Sequence, residues 1–165
     1  MSRIINISMD EAKHGNHPNW GENTVLIQIT DPAYEAPNTA FSFKVKHHFE
    51  FLDIDNSDLD KHNWEMEEFA ITEAQAKALT TILDQALCNN QDVIVHCHAG
   101  ICRSGAVVEV AEVMGFQRTS RFRAPNLRVK HLMLKSIGLT YDSEEKPYQV
   151  HEGEKNFGGS FGLWT

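Results

Sequence analysis

The sequence predicts an α/β fold: a central, mostly parallel sheet of about four to five strands flanked by helices. Three observations carry that expectation. Short apolar runs rich in β-branched residues (Ile4 to Ile7, Val25 to Ile29, Val93 to Val95) read as strands buried on both faces. Between and after them lie stretches with apolar residues at i, i+3, i+4 and i+7, the spacing of a helix with one buried face. Strands that alternate with such helices fold in layers around a parallel sheet.

The first strand covers Ile4 to Ile7. The second covers Val25 to Ile29, ends at Thr30-Asp31-Pro32, and gives way to a polar loop up to about Thr39. Phe41 to Asp53 is aromatic and β-branched and reads as one or two strands, with Phe49 and Phe51 on one face and Glu50 and Leu52 on the other. Residues 54–71 read as an irregular, solvated acidic loop around Trp64, which serves either as a lid contact or as an anchor for the loop. Thr72 and Gln75 have the spacing of a capping box. Leu79, Ile82, Leu83, Ala86 and Leu87 then give the stripe of a helix that Asn89-Asn90 stops. A strand over 93–96 follows, then a loop over 97–103. The next helix carries Ala106, Val107, Val110, Ala111 and Met114, with Gly115 past its end. Pro125-Asn126 opens a last helix through about Ser136, closed by Gly138. From Thr140 the chain turns polar and glycine-rich. Residues 1–140 are therefore expected to form a single domain, and 141–165 a loosely held tail with Trp164 against the body.

Composition narrows the possible partners. A net charge of −8 over 165 residues argues against a protein that coats nucleic acid. No run of about 18 apolar residues predicts a membrane span. The first residues lack the apolar stretch of a secretory signal. Cys88, Cys97 and Cys102 are too few, and odd in number, for a disulfide framework. A reducing cytoplasm is the expected setting.

The chemistry gathers in His96-Cys97-His98-Ala99-Gly100-Ile101-Cys102-Arg103-Ser104, between a buried strand and a helix start. Backbone N–H groups from about His98 to Arg103 can cup an anion, and the following helix turns its positive end toward it. Gly100 permits a backbone angle that a side chain forbids. The planar fork of Arg103 can take two phosphoryl oxygens. The same donors favour a thiolate at Cys97, which is then a nucleophile without a separate base. Ser104 can donate to the sulfur and help it leave, while His96 fixes the loop by hydrogen bonding. A leaving group also needs a proton, and Asp53, Asp55, Asp58 and Asp60 are the candidates. Asp53 leads because it directly follows the alternating strand, which would deliver it to the sheet edge that holds Cys97.

Residues 96–104 resemble the signature His-Cys-x-x-Gly-x-x-Arg-Ser of the cysteine-dependent protein tyrosine and dual-specificity phosphatases. Phe49-Glu50-Phe51-Leu52-Asp53 resembles the segment that presents that family's general acid. Thr30-Asp31-Pro32, the helix over 72–87 and Pro125-Asn126-Leu127-Arg128-Val129 are similar to its compact bacterial and phage branch. The resemblance spans roughly residues 3–138. It implies a phosphomonoester hydrolase that needs neither cofactor nor metal, with a phosphoprotein or phosphopeptide substrate. Cys97 would form a phosphocysteine, Arg103 would bind the phosphoryl group, and Asp53 would act as acid and then base. His96, His98, Ala99, Gly100, Ile101 and Cys102 would complete the phosphate-binding loop. Cys102 departs from the pattern, since many relatives carry Ser or another small residue there. It is either a small filler or a redox partner that forms a reversible disulfide with Cys97.

Rival readings share parts of this pattern. A nucleotide or RNA 5′-phosphatase would want a deep basic groove, which so acidic a chain does not suggest. A phosphate-binding module without turnover would have no use for the full set of Cys97, Arg103 and Ser104. A sulfur transferase of the rhodanese kind usually differs in loop length. A metal pair at His96 and His98, with His47 and His48, lacks the spacing of a zinc site.

Overall fold

The computed structural model describes residues 1–139. The glycine-rich stretch from Thr140, with Trp164, lies outside the described residues. Four parallel strands form one sheet: β1 (Ile4–Ser8), β2 (Val25–Thr30), β3 (Val45–Glu50) and β4 (Val93–Cys97), in the order β1-β4-β2-β3. The helices are α1 (Met9–His14), α2 (Asn56–Lys61), α3 (Glu73–Cys88), α4 (Arg103–Met114) and α5 (Leu127–Ser136), with a 3-10 turn at Glu67–Phe69.

Residue alternation decides which side chains face which layer. Val25, Ile27, Ile29, Val93, Val95 and Cys97 point to the large core shared with α3, α4 and α5. Leu26, Ile94, Ile5 and Ile7 form a second core with Ala12 of α1, covered by Trp20 and Phe43. Both faces of β1, β4 and β2 are thus buried, as their mostly apolar runs require. β3 lies at the other edge, and its residues Val45, Lys46, His48 and Glu50 are exposed.

Thr72 caps α3 through the reciprocal bonds with Gln75 expected from the sequence. Gly115 follows α4 at φ +124°, and Asn126 caps α5 by accepting from Val129 N. Two elements differ from the expectations. Residues 54–71 are not wholly irregular, because α2 and the 3-10 turn lie within them. Asp55 and Asp58 cap that helix reciprocally: Asp58 N donates to Asp55 Oδ1 at 3.0 Å, and Asp55 N donates to Asp58 Oδ2 at 3.0 Å. The aromatic stretch yields one strand that stops at Glu50, and Phe51 beyond it is buried in the large core.

Helix α1, which the apolar pattern does not announce, turns off the end of β1. Ser8 caps it and forms a capping box with Glu11. Glu11 also accepts from Arg121 Nη2 at 2.7 Å, and both side chains are more than nine-tenths buried. Glu11→Ala removes the acceptor of Ser8 N in the α1 cap together with the buried carboxylate to which Arg121 Nη2 donates. Glu11→Ala is therefore expected to lower unfolding stability by about 3 kcal/mol in denaturant titrations. A loss within about 0.5 kcal/mol, the range of ordinary surface changes, would contradict this.

Candidate active site

Parallel strands bring their carboxyl ends to one edge, where α/β proteins place ligands. Ser8 of β1 pairs in register with Cys97 of β4, Gln28 of β2 with His96, and Thr30 with Glu50 of β3. The segments that leave those ends, at Met9, Asp31, Phe51 and His98, therefore meet around Cys97.

The loop is fixed to β1 from below. Asn6 Nδ2 donates to Gly100 O at 2.7 Å, and Met9 N donates to His98 O at 3.1 Å. Gly100 sits at φ +76°, and a Cβ there would run into the Ile7 carbonyl and Ser8 N. Glycine is thus required both for its conformation and for the close approach of two backbones. On the other side Ile101 O accepts from Ala124 N at 3.2 Å, and Cys102 O accepts from Asn126 N at 2.9 Å.

Inside this frame Cys97 is 2 % exposed. Its Sγ receives Gly100 N at 3.2 Å and lies 3.2 Å from Ser104 Oγ. Helix α4 starts at Arg103, so its positive end faces the same loop. Ala99 is exposed beside the buried Gly100 and Ile101, and His98 is exposed as well. His96 is fully buried, and its Nδ1 lies 3.4 Å from Cys97 O, so the hydrogen bond expected to fix the loop is a long one.

Arg103 is the buried cation of the site. Its Nη1 donates to Asp31 Oδ1 at 2.7 Å and to Phe51 O at 2.8 Å, which clips the ends of β2 and β3 to α4. Its Nε is buried and has no partner among the described residues. Nη1 is therefore committed to the protein, while the Nε side of the fork keeps a donor for an anion. The sequence reading missed Asp31. Its only local signal was a strand end, and the pairing with Arg103 arises from sheet order across 72 residues.

Asp53 is the candidate acid that the structure brings to the loop. Its Oδ1 accepts from Asn126 Nδ2 at 2.9 Å, and the same amide reaches Ile54 O at 3.1 Å. The other three candidates have local partners. Asp55 and Asp58 cap α2, and Asp60 accepts from Trp64 Nε1 at 2.8 Å, which makes Trp64 an anchor of its own loop. Asn126 was expected only to open a helix. It also joins the acid segment to the cysteine loop, a link between distant residues that no local pattern reveals.

Cys88, Cys97 and Cys102 are free thiols. Burial, followed by the charges of Asp53 and Cys97 and hydrogen bonding to Asp53, pushes the Cys102 thiol up to about 12. A thiol held protonated is a slow attacker on an oxidised neighbour, because the thiolate is the nucleophile.

Residues 46–114 match a family model described as "Tc-R-P: Polymorphic toxin system, DSP-PTPase phosphatase". The matched segment runs from β3 through Asp53, α3 and the cysteine loop to the end of α4. Over this segment the chain is similar to that phosphatase family. A search of the curated proteins gives no match. Among solved structures the chain is similar to OH1 from the Orf virus, described as a tyrosine phosphatase with distinct structural features and triple substrate specificity. That similarity is 16% in identity over 84% of this chain and 70% of the viral one, with a TM-score of 0.42. Asp31 and Asn126 lie outside the matched segment but make direct contacts with it.

The site carries a pH signature. Burial pushes His96 down to about 4, with smaller contributions from Cys97 O upward and from His48, Arg103 and His17 downward. Between about 4 and the ordinary 6.5 the unfolded chain holds this proton and the folded chain does not, so stability falls as pH drops through that window. From pH 7 to pH 5 the wild type is expected to lose about 2 kcal/mol more than His96→Asn in denaturant titrations. Equal losses in the two proteins would contradict a neutral, buried His96.

Proposed function

We propose that this chain is a phosphomonoester hydrolase that acts on phosphorylated protein side chains through a phosphocysteine. The observation that carries the reading is the Cys97–Arg103 arrangement. A buried sulfur with two donors stands in one loop with a buried guanidinium whose Nη1 is committed and whose Nε is not.

The phosphoryl group sits on the loop amides and the Nε side of Arg103. Cys97 Sγ attacks phosphorus as the bond to the leaving oxygen breaks, and that oxygen takes its proton from Asp53. Water then attacks the phosphocysteine while Asp53 accepts a proton from it. The phosphorus–sulfur bond breaks, inorganic phosphate leaves, and the thiolate returns to its donors, Ser104 and Gly100. Most of the barrier reduction comes from fixed donors around charge that spreads over the equatorial oxygens. A net charge of −8, with Asp31 and Asp53 beside the loop, favours a substrate with one isolated phosphoryl group over a nucleotide or RNA end. The free thiols suit a reducing compartment such as the cytoplasm.

Hydrolysis of an aryl phosphate in the presence of a chelator is the direct test. The wild type is expected to turn over, vanadate to inhibit it, and Cys97→Ser to abolish it. Activity that survives in Cys97→Ser, or that requires a divalent ion, would overturn the mechanism. Asp53→Asn is expected to lower kcat on an alkyl phosphate, a poor leaving group, by about 10²-fold. An unchanged rate would remove Asp53 from the acid role.

A further inference from the structure

The loop after Cys97 is a run of peptide planes, and each plane is aimed by whatever holds its carbonyl. Four of these carbonyls are held from outside the loop. Met9 N donates to His98 O at 3.1 Å, Ala124 N to Ile101 O at 3.2 Å, and Asn126 N to Cys102 O at 2.9 Å. Gly100 O accepts from Asn6 Nδ2 at 2.7 Å. The described residues contain no cis peptide, so the N–H that follows each carbonyl points the opposite way. The amides of Ala99, Ile101, Cys102 and Arg103 are thereby turned away from this frame, toward the inside of the loop. None of the four has an acceptor among the described residues.

Three of the four clamps are backbone amides, which almost any residue supplies. The clamp on Gly100 is a side chain. Asn6 stands on β1 two residues after Ile4, hence on the face of the large core, beneath the loop. It is fully buried, and its Nδ2 donates to Phe122 O at 3.1 Å as well as to Gly100 O. Two carbonyls decide which end of the amide faces them, because only the NH2 end can donate. Its Oδ1 is buried without a partner among the described residues. An orphaned acceptor costs stability, so the worth of Asn6 lies in its two donor bonds.

We infer that Asn6 is a positioning residue that acts through the Gly100–Ile101 peptide: by holding the Gly100 carbonyl against β1, it aims the Ile101 N–H at the phosphoryl oxygens above Cys97. The inference rests on the phosphoryl-binding role of the loop proposed above. Gly100 is where such control is needed. Glycine reaches more backbone angles than any other residue, and the Asn6 bond selects one of them. Without it the Gly100 carbonyl is free to rotate, and the Ile101 N–H turns with it. The same glycine donates its own N–H to Cys97 Sγ at 3.2 Å, so its two flanking peptides serve the sulfur and the phosphoryl group in turn.

A titration with vanadate, followed at the backbone amides of isotope-labelled protein by NMR, separates a positioning role from a merely structural one. In the wild type the amides of Ala99, Ile101 and Arg103 are expected to shift together as vanadate binds. In Asn6→Ala the Ile101 response is expected to be lost while Ala99 and Arg103 still respond. Vanadate affinity and kcat/KM on an aryl phosphate are expected to fall together by about tenfold, the worth of one hydrogen bond to a charged group. A merely structural Asn6 would lower the melting temperature of the variant and leave the Ile101 response and the vanadate affinity as in the wild type; that result would overturn the inference. So would a wild-type titration in which Ala99 and Arg103 respond and Ile101 does not, a measurement that needs no variant and so decides the matter even if Asn6→Ala fails to fold. If no loop amide of the wild type responds and the aryl phosphate is not hydrolysed, the loop holds no phosphoryl group. The phosphatase reading itself then fails and the inference with it, an outcome distinct from the loss of Ile101 alone.

Discussion

The contact between Arg103 and the ends of β2 and β3 is the constraint on which the rest of the site depends. A guanidinium that is 6 % exposed needs a partner charge, and Asp31 supplies it at 2.7 Å. Phe51 O occupies the same nitrogen. These bonds form only if the sheet runs in the order β1-β4-β2-β3 with all strands parallel, because only then do Asp31, Phe51 and Arg103 leave one edge. Asp31 remains half exposed, so the pair spares Arg103 a lone buried charge without removing both partners from water. The loop around Cys97 is thus held from three sides: by β1 through Asn6 and Met9, by β2 and β3 through Arg103, and by the entry to α5 through Asn126.

Local electrostatics works here against the sign of the whole chain. The molecule is acidic, yet the atoms around the cysteine are donors: the Gly100 amide, the Ser104 hydroxyl, the Arg103 fork and the start of α4. The acidic residues that follow β3 divide by role. Asp55 and Asp58 are absorbed by the reciprocal cap of α2, and Asp60 by Trp64. That leaves Asp53, beyond the end of β3, which accepts from Asn126, the residue whose N also donates to Cys102 O. In the proposed mechanism a phosphoryl group is captured by fixed short-range geometry, since the long-range field of so acidic a chain repels it.

What the sequence made legible follows the range of the interaction. The Cys97–Ser104 segment, the strands before it and the capping box of α3 are local patterns, and they appear where periodicity and spacing place them. The short helices were harder to read. Ser8 and Glu11 carry the capping spacing of α1, but six residues hold too little apolar periodicity to announce a helix. Asp55 and Asp58 read as solvated charge, although reciprocal capping gives them a structural task. Asp31 and Asn126 were legible only as a strand end and a helix start. Their partners, Arg103 and Asp53, lie more than 70 residues away along the chain. Such pairings depend on strand order, which local propensity does not encode.

The most direct test of the central claim is to trap the covalent intermediate. A rapid acid quench during turnover of an aryl phosphate, followed by peptide mass spectrometry, reports where the phosphoryl group resides. The expected result is one phosphoryl group on the peptide that contains Cys97, lost in Cys97→Ser and accumulating in Asp53→Asn, where the base for the second step is gone. Turnover with no phosphorylated peptide, or with the phosphoryl group on a different residue, would contradict a thiolate nucleophile in this loop.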